Sequence, residues 1–340
     1  MRCLVTGVAG FIGSHLAEAL VAEGHEVVGL DSFSDSYPRE IKESNLSGLR
    51  NEAAFEFVEG DVARIVLGGL LRGVDWVFHQ AAQAGVRASW GKLFQTYADN
   101  NVMGTQRLLE AVRETDTGKK VRRILYASSS SIYGDAEETQ TPEEITPRPI
   151  SPYGVTKLAG EQLAYLYWKQ MGLPVVSLRY FTVYGPRQRP DMAFHRFIEA
   201  LLSDAPIEIY GDGEQTRDFT YVSDAVAANL AAAVRGRDGT VYNIGGGERA
   251  SINRVVRLLE EVSGRRARTQ YLHPQAGDVR HTWGDISRAG RELGFCPRVG
   301  LTDGLRRQCE WHLRRRSDGN QQRASGNPGV SKMQGGSSSG

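Results

Sequence analysis

Cysteine is scarce in this chain, and nothing in its placement points to cross-links. Cys3, Cys296 and Cys309 share no metal-like spacing and leave an odd count, so they read as reduced thiols of a cytosolic protein. Net charge is nearly absent: 41 basic side chains face 40 acidic ones, which argues against nucleic acid or an anionic membrane as the main partner. No apolar run approaches bilayer length, and the first residues lack a basic flank followed by an apolar core. The seven histidines form no HxxxH or His–Cys cluster, so the sequence implies no metal. No internal repeat interrupts the reading.

What is present is alternation. The runs at 2–7, 26–31, 55–61, 74–80, 122–128 and 174–181 are short, apolar and β-branched, and read as strands. Between them lie helical stretches such as Phe11–Glu23, closed by Gly24, and Asn100–Glu114. Strand–helix alternation of this length predicts a parallel, doubly wound α/β sheet covered on both faces. At 340 residues the chain can bury a large domain and a smaller one. After about residue 183 the pattern loosens, with helices expected at Ala193–Leu202, Ser223–Val234 and Ile252–Val262. The division reads as a mainly dinucleotide-binding domain over 1–182 and a C-terminal substrate lobe over 183–313, some of whose segments return to the sheet. Residues 314–340, polar and rich in Gly and Ser, read as a disordered tail.

The stretch "TGVAGFIG" sets Gly7, Gly10 and Gly13 between the first strand and its helix. Glycines there let backbone N–H groups approach a pyrophosphate, and the helix N-terminus favours its charge. Asp31 ends the second strand about 20 residues on, where a carboxylate meets a ribose 2′-hydroxyl. Asp61 ends the next strand and could reach the adenine, or simply be a solvated acid.

Four consecutive serines, Ser128–Ser131, close the fifth strand, and "SPYGVTK" follows. Ser151 suits an N-cap and Pro152 the first helical position, so Tyr153 falls in the first turn. Lys157 lies four residues on, on the same helix face. Its ammonium is expected to lower the tyrosine pKa from about 10 and make a general base. Tyr165 and Lys169 repeat the spacing, but sit about 120° round the helix and far from the strand ends, as packing and surface.

These features together resemble the short-chain dehydrogenase/reductase superfamily, in its extended nucleotide-sugar branch of NAD-dependent epimerases and dehydratases. The resemblance runs from residue 1 to about 312 and includes "HQAAQAGVR", "NNVMGTQRLLEA", "RYFTVYGPRQRPDM" and "IYGDGEQTRDFTYVSD". It implies a Rossmann-type sheet with a smaller C-terminal lobe, and NAD as cofactor. It implies NAD contacts at Gly7, Gly10, Phe11, Ile12, Gly13, Asp31, Asp61 and Val62. Further contacts fall at Gln80, Ala81, Ala82, Asn100, Tyr153, Lys157 and Tyr180. The branch's catalytic hydroxyl sits four residues before the tyrosine of the "YG" turn, here Tyr133, which selects Ser129. Ser128 then reads as structural. Dehydratases of this branch carry an Asp–Glu pair just after that hydroxyl, and UDP-glucuronate decarboxylases a Glu two residues after it. Here Ser130 and Ser131 stand in those places, which points to an epimerase.

UDP-glucose 4-epimerases typically carry Asn after "RYF"; this chain has Thr182 and is most similar to UDP-glucuronate 4-epimerases. Thr182, Ser130 and Arg189 are thus implied near a sugar carboxylate, which suits the planar fork of arginine. The alternative is that Arg187 and Arg189 form a solvated basic loop. Arg217 matches a diphosphate-binding arginine, Asp278 an acid near the uridine ribose, and Arg280 could add a phosphate contact. Arg87 is assigned to the substrate, with a structural or phosphate role equally open. The expected activity is 4-epimerisation of UDP-glucuronate. UDP-glucose 4-epimerase, UDP-glucuronate decarboxylase and a non-catalytic NAD-binding scaffold are the alternatives, in that order. A cytoplasmic homodimer is expected, paired through Asn100–Glu114 and Pro152–Met171. His79, following a strand, is expected to serve the core.

Overall fold

Each of the six apolar runs forms a strand in the computed structural model, which describes residues 1–116, 118–135 and 139–325. They are β1 (Arg2–Thr6), β2 (Glu26–Asp31), β3 (Phe55–Glu59), β4 (Trp76–His79), β5 (Arg123–Ser129) and β6 (Val175–Tyr180). Shorter strands follow: β7 (Thr182–Tyr184), β8 (Ile207–Tyr210), β9 (Thr216–Tyr221), β10 (Val241–Ile244), β11 (Arg249–Ser251) and β12 (Thr269–Leu272). The main sheet runs β3-β2-β1-β4-β5-β6-β10, and every pair in it is parallel. β10 is thus a late segment returning to the first-half sheet. β7, β9 and β11 make a second sheet, and β8 with β12 a third.

Both faces of the main sheet are covered. Cys3 and Val5 pack into one apolar layer with Leu16, Leu20 and Phe78, while Leu4 between them packs into the other with Val28, Val77 and Leu108. Period two with both sides buried is what a doubly wound strand requires. Strand order reverses between β1 and β4, so the loops after these two strands open a crevice where the β1 glycines and residues 80–82 face each other.

Two readings of the sequence need correction. The helix expected over Asn100–Glu114 is α-helical only from Gly104 to Glu114, because Ala98–Met103 is a π-helical segment. The wider turn shifts which side chains face inward. The terminal helix Leu301–Ser325 runs on through 314–325, into the stretch expected as a tail. An anchor holds it: Arg316 Nη2 donates to Glu199 Oε2 at 2.5 Å and to Ser203 Oγ at 2.6 Å. The rest of the expected tail, 326–340, lies outside the described residues. Among the described residues, no helix is long and apolar enough to cross a membrane.

His79 is buried between two hydroxyls, Nδ1 at 2.8 Å from Thr6 Oγ1 and Nε2 at 3.0 Å from Thr105 Oγ1. Burial, helped by the Lys157 charge, lowers its pKa from 6.5 to about 3. The unfolded chain therefore binds this proton at a pH where the folded chain does not, and stability falls as pH drops below 6.5. Between 6.5 and about 5 this group should remove about 1.5–2 kcal/mol. Urea unfolding of wild type and His79→Asn over that interval checks it. The variant should lose less stability by that amount, and equal losses would refute the assignment.

Candidate active site

The turn after β1 is built for close approach. Gly7 has φ +71°, and a Cβ there would come 2.7 Å from the Ala81 backbone nitrogen. At Gly13 a Cβ would come 2.1 Å from the Gly7 carbonyl oxygen, so only glycine lets this helix pack onto its turn. Asn45, buried, braces the loop by donating to the Ala9 carbonyl at 3.0 Å. Asp31 ends β2 and accepts from Ala9 N at 3.0 Å and Phe33 N at 2.9 Å, one bond per carboxylate oxygen. Each oxygen keeps acceptor capacity for a ribose hydroxyl. Burial raises the Asp31 pKa, and these N–H donors oppose the rise. A pyrophosphate cradle that a Cβ would fill, with an acceptor one strand away, fits a dinucleotide.

The other expected cofactor residues differ in burial and in hydrogen-bond partners. Phe11 and Val62 are buried; Ile12, Ala81 and Ala82 are half-buried. Asp61 accepts from Ala63 N at 2.8 Å and pairs with the exposed Arg64 at 3.5 Å, both within its own turn. Gln80 Nε2 donates to Tyr180 Oη and to Asn229 Oδ1, both at 3.1 Å. The Tyr180 hydroxyl donates to Asn229 as well, at 2.9 Å. That closed network lies within the core, because every residue of β6 is buried. Asn100 donates to the Thr96 carbonyl in an exposed bond at 2.8 Å. Its neighbour Asn101 is the interior one: it joins Gln83 N at 2.8 Å, Gln83 O at 3.0 Å and Thr156 Oγ1 at 2.9 Å. The π-helical turn explains the change of register, and the doubled "NN" left the sequence ambiguous.

The helix Pro152–Met171 carries the base. Ser151 caps it, its Oγ accepting from Gly154 N at 3.1 Å, and Pro152 opens it. A Cβ on Gly154 would come 2.5 Å from the Ser131 carbonyl oxygen, so the first turn lies directly on the end of β5. That contact brings Tyr153 to Ser129, with which it shares a side-chain hydrogen bond. Ser129 also accepts from Ser131 N at 3.1 Å. Ser128 instead donates to Glu161 Oε2 at 2.6 Å, and Glu161 pairs with the equally buried Arg179 at 2.6 Å. Ser128 is structural, as read. Ser130 and Ser131 are half-buried beside the site.

Burial pushes the Tyr153 phenol above its usual 10, against the expected lowering. The Ser129 hydroxyl and the Arg189 charge pull it partly back. Lys157 is buried, its Nζ 4.8 Å from the centre of the Tyr126 ring. It forms no ion pair among the described residues. Burial lowers its pKa to about 7, with Glu161 opposing. A buried lysine without a carboxylate partner costs stability, and marks a group kept for binding. Tyr165 is 48% exposed and lies against Trp168, with ring centroids 5.5 Å apart.

Arg189 forms a bidentate pair with Asp191, Nε to Oδ1 at 2.9 Å and Nη2 to Oδ2 at 2.7 Å. Neither of these bonds uses Nη1, which carries two N–H donors of its own. Arg187 pairs with Glu18 at 2.6 Å, so neither arginine is simply solvated. Thr182, half-buried, opens β7 directly after β6. Tyr97, unremarked in the sequence, donates to the Gly85 carbonyl at 2.7 Å and meets Tyr153 edge-on at 6.2 Å. Farther out, Arg87 pairs with Asp278 at 2.7 Å and lies 4.0 Å over the Tyr210 ring. Arg280 grips Asp212 at 2.8 and 2.9 Å. Arg217 donates to the carbonyls of Thr216 and Arg280 at 2.9 and 3.2 Å. The three guanidinium groups lie in one electrostatic cluster with the carboxylates of Asp278, Asp135 and Asp212, and a guanidinium fork is the group suited to a diphosphate.

Comparison with known proteins agrees with this geometry. The NAD dependent epimerase/dehydratase family matches residues 3–245. An uncharacterised UDP-glucose epimerase of Bacillus subtilis is 48% identical over 309 residues, 90% of this chain and 96% of its own. A UDP-glucuronate 4-epimerase of Thermodesulfobacterium geofontis is 39% identical over 312 residues, 91% of this chain and 95% of its own. The crystal structure of UDP-glucuronic acid 4-epimerase from Bacillus cereus, in complex with UDP-glucuronic acid and NAD, superposes with a TM-score of 0.89. It is 46% identical and covers 92% of this chain and 99% of its own. With its glycine turn, its Tyr–Lys helix and a match over most of its length, this chain belongs to the NAD-dependent epimerase/dehydratase family.

Proposed function

We propose that the protein is an NAD-dependent 4-epimerase that interconverts UDP-glucuronate and UDP-galacturonate through a 4-keto sugar. The observation that carries this reading is the position of the Arg189 guanidinium: Asp191 fixes one edge of it, and it lies beside Gly85 together with Tyr97, the ring that packs on Tyr153. A cation beside the base suits a sugar with a carboxylate at C6. The likeness to the Bacillus cereus and Thermodesulfobacterium enzymes supports the same substrate.

When bound, NAD+ supplies the hydride acceptor at C4 and returns the hydride to the opposite face, so the reaction is redox-neutral. Gly7, Gly10, Gly13 and Asp31 would hold its adenosine diphosphate end and Lys157 its nicotinamide ribose. Tyr153, hydrogen-bonded to Ser129, takes the proton of the sugar 4-hydroxyl as C4 loses hydride. The phenol returns that proton once the keto sugar has turned about its diphosphate link. Arg217, Arg280 and Arg87 would hold the diphosphate through the turn, with Asp278 near the ribose. The intermediate is a β-keto acid, prone to lose CO2. Thr182, Ser130 and Arg189 restrain its carboxylate away from the geometry that decarboxylation needs. No acid stands at Ser130 or Ser131 to promote elimination or decarboxylation.

The name of the Bacillus subtilis relative favours UDP-glucose as the second reading. Incubating the protein separately with UDP-glucuronate and UDP-glucose, and resolving the products, decides between them. UDP-galacturonate is expected as the main product, and faster conversion of UDP-glucose would replace the proposal.

The protein acts as a cytoplasmic homodimer in this reading. Support for the compartment comes from three free cysteines, two of them buried. Support for the dimer comes from Val155, Tyr165 and Leu166, each about half exposed on the helix Pro152–Met171, and from Met103 at 50%. Light scattering at micromolar concentration should give twice the 37.4 kDa chain mass, and a monomeric mass would remove the dimer.

A further inference from the structure

Far from the Tyr153 site along the chain, two histidines and a glutamate meet where the helix Ala193–Leu202 packs on the terminal helix. His195 and Glu199 are four residues apart and share a helix face. His312 comes from the terminal helix, 113 residues beyond Glu199, a separation that hides the cluster from any spacing pattern. The two imidazole rings lie edge to face with centroids 4.6 Å apart, and both side chains are more than nine-tenths buried. One donor atom from each of the three residues lies within 4.8 Å of the other two.

The hydrogen bonds fix both tautomers. His195 Nδ1 faces the Gln188 carbonyl at 2.9 Å; a carbonyl only accepts, so Nδ1 carries the proton. His312 Nδ1 faces Glu199 Oε1 at 2.6 Å, and a carboxylate likewise demands a proton there. His195 therefore presents Nε2 as its free ring nitrogen, while the Nδ1 edge of His312 faces Glu199. His312 Nε2 is buried with no hydrogen-bond partner among the described residues. An imidazole oriented through Nδ1–H by a carbonyl, as His195 is, is a usual arrangement around a divalent transition ion.

We propose that His195, Glu199 and His312 bind a divalent ion of the zinc class. His195 would ligate through Nε2 and His312 through Nδ1, the ion taking the place of the proton shared with Glu199, whose Oε1 and water would complete the shell. Two nitrogens and one oxygen suit zinc and not the hard cations magnesium or calcium. Arg316 stays on the other Glu199 oxygen, where its charge limits affinity. The ion would tie the terminal helix to the loop that carries Arg189. His195 also accepts no proton from that loop but donates its backbone N–H to Gln188 Oε1 at 3.0 Å, and Gln308 donates to the same oxygen at 3.0 Å.

Chelator-treated protein titrated with zinc chloride by calorimetry should bind one equivalent per chain, and magnesium chloride should give no heat. His312→Ala and His195→Ala should each weaken the zinc affinity by about 10–100-fold or more, while His25→Ala and His273→Ala leave it unchanged. At saturating zinc the wild-type Tm should rise by several degrees, with no rise in the His312→Ala variant. Circular dichroism shows whether the variants fold. If they do not, X-ray absorption on the wild-type zinc complex substitutes, with two imidazole ligands expected. Absence of zinc binding by the wild type, binding insensitive to both substitutions, or a spectrum without two imidazoles would overturn the site and leave the cluster as an ion pair only.

Discussion

Replacing Tyr153 with phenylalanine should lower turnover by about 10²–10⁴-fold, the usual worth of one acid–base group, with nucleotide binding close to wild type. Phenylalanine keeps the ring against Tyr97 and removes only the oxygen that shares a hydrogen bond with Ser129. Tyr165→Phe is the matched control. It belongs to the second Tyr-x-x-x-Lys spacing on the same helix but is half exposed and packs on Trp168, and phenylalanine keeps that ring, so losing its hydroxyl should be nearly silent. Because burial holds the Tyr153 phenol above 10, the ionised base is scarce at neutral pH, and kcat/KM should rise with pH on the alkaline side. Single-turnover kinetics on both variants, with NAD binding measured separately, checks this. Reversal of the two effects would move the base to Tyr165.

Arg189→Leu should change the choice of substrate. Losing one partner of a desolvated charge pair costs about 2–5 kcal/mol in binding. UDP-glucuronate should bear that cost, and UDP-glucose, with only a hydroxyl at C6, should largely escape it. The ratio of kcat/KM should move towards the neutral sugar by about one to three orders of magnitude, since about 1.4 kcal/mol is tenfold. The substitution also strands Asp191 and removes a charge that lowers the Tyr153 pKa. Those losses fall on both sugars alike, so the ratio isolates the carboxylate contact. Remaining turnover of UDP-glucuronate should release more decarboxylated pentose. An equal fall for both sugars would mean that Arg189 acts only through Tyr153.

The sheet was legible because strands buried on both faces write continuous apolar runs, and the turn glycines because only glycine can sit where a Cβ would meet backbone at 2.1–2.9 Å. The first-turn position of Tyr153 was legible because a cap and a proline set the helix phase, whereas Ser129 came from the resemblance alone. What escaped depends on partners distant in sequence or on departures from regular helix. Asn101 replaces Asn100 inside because a π-helical turn intervenes. The Tyr153 pKa rises because burial outweighs its neighbours, and burial is set by the whole fold. Asp191 occupies one edge of Arg189, a contact two residues long that an "RPD" triplet does not announce. Residues 314–325 look like tail by composition, yet Arg316 finds Glu199 on another helix and the helix continues.

The central claim is that one hydrogen leaves C4 of UDP-glucuronate and comes back to the same carbon. Supplying the enzyme with UDP-glucuronate deuterated at C4, in ordinary water and without added oxidant, tests it directly by mass spectrometry and NMR of the product. The account requires UDP-galacturonate with the deuterium still at C4. Loss of the label to solvent, or a pentose product with release of CO2, would contradict it.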